Sequence, residues 1–231
     1  MDVTISEAVQ HTHPGAVLGV LAMRGLRNPA TSPELASAKE QVERELRERF
    51  AGLSRAELRA TPVLDAYARY YRTFGNTYHV QLQLESIVTK GRSIPNVAAL
   101  VEAMFMAELK NQLLTAVHDL STLTPPLHFD VAGDDPPGYT LANGRETVLK
   151  PGDIYMADAT GVSCSIIYGQ DQRTRVTPET TEALFVVYAP PGIDPALVAT
   201  HLDDITAYTR LVAPAASVEH SAVYTSGRQA T

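Results

Sequence analysis

Residues 96–131, NVAALVEAMFMAELKNQLLTAVHDLSTLTPPLHFDV, hold the point at which the chain changes its period. From Asn96, the apolar positions Val97, Leu100, Val101, Met104, Phe105 and Leu109 recur every three or four residues, the spacing of an amphipathic helix. Met104 and Met106 read as core filling rather than as a binding stripe. Beyond residue 111 the texture becomes short apolar runs cut by Pro, Gly, Asn and Asp, which is how a sheet of hairpins reads. Candidate strands are Leu113–Val117, Leu127–Val131, Thr147–Lys150, Asp153–Ala157, Val162–Tyr168 and Ala183–Tyr188.

Upstream of this switch, after a polar leader, the unbroken apolar run Ala16–Met23 has the length of a buried strand. Ser32-Pro33-Glu34 opens a helix carrying Leu35, Val42, Leu46 and Phe50 inward, with KEQVERELRER as its wet face. Ser54 and Glu57 have capping-box spacing, and Thr61-Pro62 starts another helix with Val63, Tyr67, Tyr70 and Phe74 inward, stopped by Gly75. Residues 80–91 fit either period; Leu84, Ile87, Val88 and the closing Gly91 favour a helix. Downstream, Thr177-Pro178-Glu179-Thr180 reads as a very short helix, and Asp194-Pro195 starts a long one with Leu197, Val198, Leu202, Ile205, Tyr208 and Leu211 inward. Residues 214–231, small and polar, read as a flexible tail. The expectation is one α+β domain over residues 1–231, with N-terminal helices packed on a largely antiparallel sheet and a C-terminal helix closing it.

Composition narrows the function classes. The 231 residues are 45% hydrophobic with a net charge of −7, so the chain is globular. Basic and acidic residues balance up to residue 110 (13 and 12), whereas the remainder carries 6 and 14. Bulk charge therefore advertises no long polyanion, and DNA is not an expected partner. One cysteine excludes a disulfide framework and fits a reducing compartment. Met1–Gln10 has neither a basic nor an apolar signal region, and no run of apolar residues is long enough to span a bilayer. The expectation is a soluble cytoplasmic protein with no membrane partner.

Few residues carry an evident chemistry. His118-Asp119 and His128-Phe129-Asp130 bring four metal-capable side chains near adjacent strands, but in no recognised ligand spacing, and a regular strand cannot turn His118 and Asp119 to one face. No metal and no cofactor are expected. Cys164 alternates with Val162 and Ile166 as a small buried hydrophobe does. Tyr168–Thr174 is a polar turn leaving a strand, with Arg173 and Arg175 beside it and Thr174, Thr177, Thr180 and Thr181 supplying hydroxyls. Phosphate-loop, dinucleotide and Ser-His-Asp signatures are absent.

The order of the blocks is more informative than any one of them. LANGRETVLKPGDIYMADATGVSCSIIYGQDQRTRVTPETTEALFVVYAPPGI, preceded by KGRSIPNVAALVEAMFMAELKNQLLTAVHDL, resembles the B-three/four editing domain of the phenylalanyl-tRNA synthetase beta chain. The markers are Gly152-Asp153, Ala157-Asp158, Gly169, Val176 and Thr180, with Asp119 at the matching aspartate, and the likeness runs from about Leu64 to Ile193. Nothing resembles a synthetase catalytic module, so the resemblance implies a free-standing version. It implies binding of a tRNA acceptor end or an aminoacyl group, with hydrolysis of a mischarged ester as the associated chemistry.

Carried onto this chain, the resemblance places a substrate pocket at Cys164, Ser165, Tyr168, Gly169 and Val186, and a pocket mouth or RNA contact at His118, Asp119, Arg173, Thr174, Arg175 and Thr177. It names no catalytic residue. The family's Ala-Gly pair is Cys164-Ser165 here, Tyr168 replaces the first of a Gly-Gly pair, and the family's histidine falls at Ala116. Val186 stands where the family has a tyrosine-recognising Glu. Val186 offers no acceptor for a phenol, which implies no preference for tyrosyl over phenylalanyl or aliphatic esters. Two other readings remain open: a pocket for a small amino-acid-like ligand without RNA, and an interaction protein using its acidic second half. Arg69, Arg72, Lys90 and Arg92 gathered near Arg173 and Arg175 would favour RNA.

Overall fold

The computed structural model describes residues 1–30 and 32–226. In chain order the elements are β1 (Val3–Ile5), α1 (Glu7–Thr12), β2 (Val17–Arg24), α2 (Ala36–Arg49), α3 (Arg55–Arg59), α4 (Pro62–Thr73), α5 (His79–Lys90) and α6 (Ala99–Asn111). There follow β3 (Thr115–Asp119), β4 (Leu127–Val131), β5 (Gly138–Thr140), β6 (Glu146–Val148), β7 (Ile154–Asp158), β8 (Gly161–Ser165), β9 (Gly169–Gln170), β10 (Glu182–Ala189), α7 (Pro195–Val212) and β11 (Ser217–Thr225). Local chemistry sets the boundaries. Ser54 and Glu57 form a reciprocal capping box on α3, Asp194 accepts from the Ala196 amide at the start of α7, and Gly91 ends α5 at φ +65°.

The strands form two sheets and a hairpin. One sheet, in the order β11-β2-β10-β3, is antiparallel throughout, and Val186 lies between Val20 and Ala116 at its centre. The other, β1-β4-β7-β8-β9, is antiparallel except for the parallel pair β1–β4. β5 and β6 pair with each other. The sheets face one another across the core, where the Phe129 ring of β4 meets Tyr188 of β10 with centroids 6.0 Å apart. The far face of the first sheet is covered by α7: a Cβ on Gly19 would stand 2.7 Å from Val198 Cγ1, and Thr115 Oγ1 is 2.7 Å from His201 Nε2.

Helix α4 binds the two sheets together through hydroxyls. Tyr67 donates to the Tyr188 carbonyl and accepts from the Leu114 amide, Tyr70 donates to Asp153 just before β7 and accepts from the Ile154 amide, and Tyr71 donates to the Ile166 carbonyl. The tyrosine stripe of this helix thus buries its rings and satisfies backbone groups on both sheets.

The α+β class and the largely antiparallel strands match the expectation; the strands divide into two sheets and a hairpin rather than one sheet, Leu211 of α7, expected inward, is exposed, and five further details differ. The polar leader contains β1, which gains its bonds by pairing with β4 far along the chain, and α1, capped by Ser6. Helix α6 is buried nearly all round because α2, α5, α7 and β3 all pack on it, so Glu102 and Glu108 lie inside it. The run 162–168 is a strand only to Ser165, after which the chain turns into β9. Residues 177–180 form a turn closed by the Thr180 amide on the Thr177 carbonyl, since one turn of this length has no helical partner. The tail is largely β11, antiparallel to β2; the remainder of that call, residues 227–231, lies outside the described residues.

Candidate functional site

The seam between the sheets opens as a cavity of about 320 Å³, where edge strand β3 of one sheet approaches β8 and β9 of the other and α5 and α6 lie over the gap. Gln170 crosses the seam, its Nε2 donating to the Val117 carbonyl at 2.7 Å and the Thr174 carbonyl at 3.0 Å. The turn from β8 to β9 presents Cys164, Ser165, Tyr168 and Gly169 to the cavity, and Gly169 takes φ +83°, which suits glycine at such a turn. Val101, Met104, Leu114, Ala116, Ile166 and Ile167 make most of the wall apolar. Met104 therefore serves the cavity as well as the core.

Val186, expected in the same pocket, is not among the lining residues. Its side chain is fully buried and shares a face with Tyr188, two positions along β10, so the strand presents Tyr188 to the cavity and keeps Val186 in the packed core. Tyr188, His79 and Gln170 line the cavity without having been singled out from the sequence. The available signal for Tyr188 was strand alternation from Val186.

The cavity floor is polar and mostly neutral. Burial pushes the Cys164 thiol up to about 12, so it stays protonated and is no nucleophile. The Ser165 hydroxyl accepts from the Tyr168 amide at 3.1 Å and lies within reach of Asp153 behind it. Burial raises the Asp153 carboxyl to about 6 against the hydrogen bonds from Tyr70, Ser165 and the Ile167 amide. Burial also lowers His79, which favours its neutral form. Tyr188 Oη has no hydrogen-bond partner among the described residues; the weakly bonding Cys164 thiol lies beside it.

Of the residues expected at a mouth, most are hydrogen-bonded into the fold, and Arg173 and Arg175 are exposed. His118 is fully buried, and its Nδ1 is 2.6 Å from Thr174 Oγ1. Thr174 in turn donates to Asp171, so its oxygen accepts from His118 and the lone pair of Nε2 is left without a partner among the described residues. Burial, helped by the Arg173 charge, takes His118 down to about 3. Asp119 accepts from Thr180 and Ser121, and the Thr177 carbonyl accepts from Asn28. Arg173 makes a two-pronged bond to Asp158, at 2.8 and 3.0 Å, and a longer pair with Asp171. Asp158 is pushed up by burial, yet its bonds from Thr160, the Thr124 amide and Arg173 outweigh that and bring it to about 2. Arg175 is exposed and bridges to His118 through the backbone.

Two of the basic side chains of the helices sit elsewhere. Arg69 pairs with Asp65 and approaches Gly192, while Arg92 lines a separate groove between α5 and α6. Among the described residues no group of three or more His, Cys, Asp or Glu is placed to hold a metal; Asp130 accepts from Ser6 and His128 is 2.6 Å from Thr4 Oγ1. No helix among them is long and apolar enough to cross a membrane.

No family model and no curated protein matches the chain. Among solved structures, an N-terminal fragment of the phenylalanyl-tRNA synthetase beta subunit from Pyrococcus horikoshii is similar, with a TM-score of 0.45 and 15% identity. The match covers 90% of this chain and 48% of that one, so this chain spans about half the length of that structure. A likeness at this level assigns no role to any residue.

Proposed function

We propose that the inter-sheet cavity receives the amino-acid end of an aminoacylated tRNA, in a domain of the editing type. The observation that carries the reading is the turn Cys164–Gly169: the segment that resembles the editing pocket lines a cavity of about 320 Å³. That size is at the lower end of small-ligand pockets and suits one amino-acid side chain better than a nucleotide. Hydrolysis of the activated ester at such a place asks for a held carbonyl and an oriented water rather than a nucleophilic triad. Ser165, backed by Asp153, is the group we assign to orient that water.

A second reading, a free amino-acid-like ligand without RNA, has its own support. Arg173 is engaged by two carboxylates, Arg69 and Arg92 lie in other neighbourhoods, and Lys150, 6.0 Å from the Tyr168 ring centroid, donates to the Phe74 carbonyl, so among the described residues these groups form no basic track toward the cavity. Filter binding of charged and uncharged tRNA at low salt, with deacylation followed on the same charged samples, separates the two. Tighter retention of charged tRNA supports the first reading. No tRNA retention, with binding of free amino-acid amides, moves the assignment to the second.

A further inference from the structure

We infer that the slot between α5, α6 and the linker joining them binds a small apolar carboxylic acid, with its hydrocarbon body on Leu82, Phe105 and Leu109 and its carboxylate on Arg92. The inference is independent of the inter-sheet cavity, with which the slot shares no lining residue.

Three segments wall the slot. α5 supplies Leu82, Gln83, Ser86 and Ile87, α6 supplies Phe105 and Leu109, and the linker supplies Arg92, Ser93 and Pro95. The linker is held in place along its length: the Arg92 carbonyl accepts from Arg47, the Ile94 amide donates to Glu43, Asn96 accepts from Lys39, and the Val97 amide donates to Glu102. The slot therefore has a fixed outer wall. A single exposed leucine needs no explanation. Here, however, Leu82, 42% exposed, and the half-buried Phe105 stand over the buried Ile87 and Leu109 and converge on one hollow of about 280 Å³.

Charge selects what enters it. Arg92 is the one charged side chain among the lining residues, and its guanidinium has neither an ion pair nor a hydrogen bond among the described residues. The carboxylates of the helices packed here are already engaged: Glu43 by Arg47 and the Ile94 amide, Glu85 by Arg55 and Gln81, Glu102 by Lys39 and the Val97 amide. The Ser86 and Ser93 hydroxyls, also without a partner among the described residues, add donors to the wall. A guanidinium fork with neighbouring hydroxyls suits a planar carboxylate. A cationic ligand would be repelled, and a polyanion would need more than one lining cation. The hollow is also too small for a docked helix, which lays several turns of apolar residues into a groove. A compact free acid fits its size, its apolar walls and its one charge.

The test is calorimetric binding of 3-phenylpropionate and hexanoate, each compared with its neutral amide, to the full chain and to Arg92→Gln, Leu82→Ala and Ala116→Leu. At least one acid should bind the parent protein about tenfold or more tighter than its amide. Arg92→Gln should bring that acid to the affinity of its amide and leave the amide unchanged. Leu82→Ala should weaken both members of the pair, and Ala116→Leu, which alters the inter-sheet cavity, should weaken neither. Arg92 and Leu82 are exposed, so both variants should melt with the parent. Failure of both acids to bind, equal binding of acid and amide, or a preference that survives in Arg92→Gln overturns the inference and leaves the reading of the inter-sheet cavity standing. Binding lost in Ala116→Leu and kept in Leu82→Ala also overturns it, by moving the acid to that cavity.

Discussion

Glu108 shows how closely the interior is poised. One of its carboxylate oxygens accepts from the Thr115 amide at 2.7 Å, the other has no partner among the described residues, and burial raises the carboxyl to about 8. In the unfolded chain the same group titrates near an ordinary glutamate, so across the interval up to about 8 the native state holds a proton that the unfolded state has released. Its contribution to stability is therefore greatest at low pH and falls as pH rises, by roughly 1.4 kcal/mol per unit inside that window. His118 and His201, lowered to about 3 and about 4, act in the opposite direction but only below the ordinary histidine range. The difference between parent and Glu108→Gln in urea denaturation between pH 7 and 8 isolates the glutamate, because the buried histidines and Asp153 titrate alike in both, and the variant should lose less stability than the parent as pH rises. An unchanged slope would mean that Glu108 is ionised in the fold. No pattern in the sequence flags Glu108, because burial on every side of α6 comes from partners distant in the chain. The Cys164–Gly169 segment was legible from its order of glycines and strands, whereas Tyr188 was masked by attention to Val186.

Among the elements, those whose ends are fixed by local chemistry were readable: the capping box of α3, the proline starts of α4 and α7, and the glycine stop of α5. Those that depend on a distant partner were not. β1 is three residues long, and β11 carries Ser217, Glu219, His220 and Ser221 among its apolar residues, so neither announces a strand until it pairs. If β11 is as integral as its register with β2 implies, ending the chain after Pro214 strips one edge of β2. The shortened protein should lose its cooperative melt or aggregate on heating; a melt identical to the parent's would restore the view of a dispensable tail. The contact of α7 with β2 gives a sharper probe. Gly19→Ala places a methyl 2.7 Å from Val198 Cγ1 and 3.1 Å from Val187 Cβ, and it should cost about 1–3 kcal/mol in chemical denaturation. Pairing it with Val198→Ala should return part of that loss, because the two sites share one space.

At the scale of the molecule, the switch from helical to alternating period near residue 111 identified an α+β fold, but it could not say that the strands divide into two facing sheets. β1 and β11, from opposite ends of the chain, form the outer edges of the two sheets, and the cavity lies in the seam between their other edges, β9 and β3. The central claim is that this seam is a seat for an aminoacyl group. Ala116, a small residue on the cavity wall, provides the control, since Ala116→Leu fills part of the space and changes no polar or charged group. The decisive measurement is the affinity of an acceptor-stem minihelix, aminoacylated and uncharged, for the parent protein and for Ala116→Leu, with unchanged melting as the check on folding. The parent should hold the aminoacylated form about tenfold or more tighter, and Ala116→Leu should bring the two forms together. Equal affinity of the parent for both forms, or a preference untouched by filling the cavity, would contradict the claim.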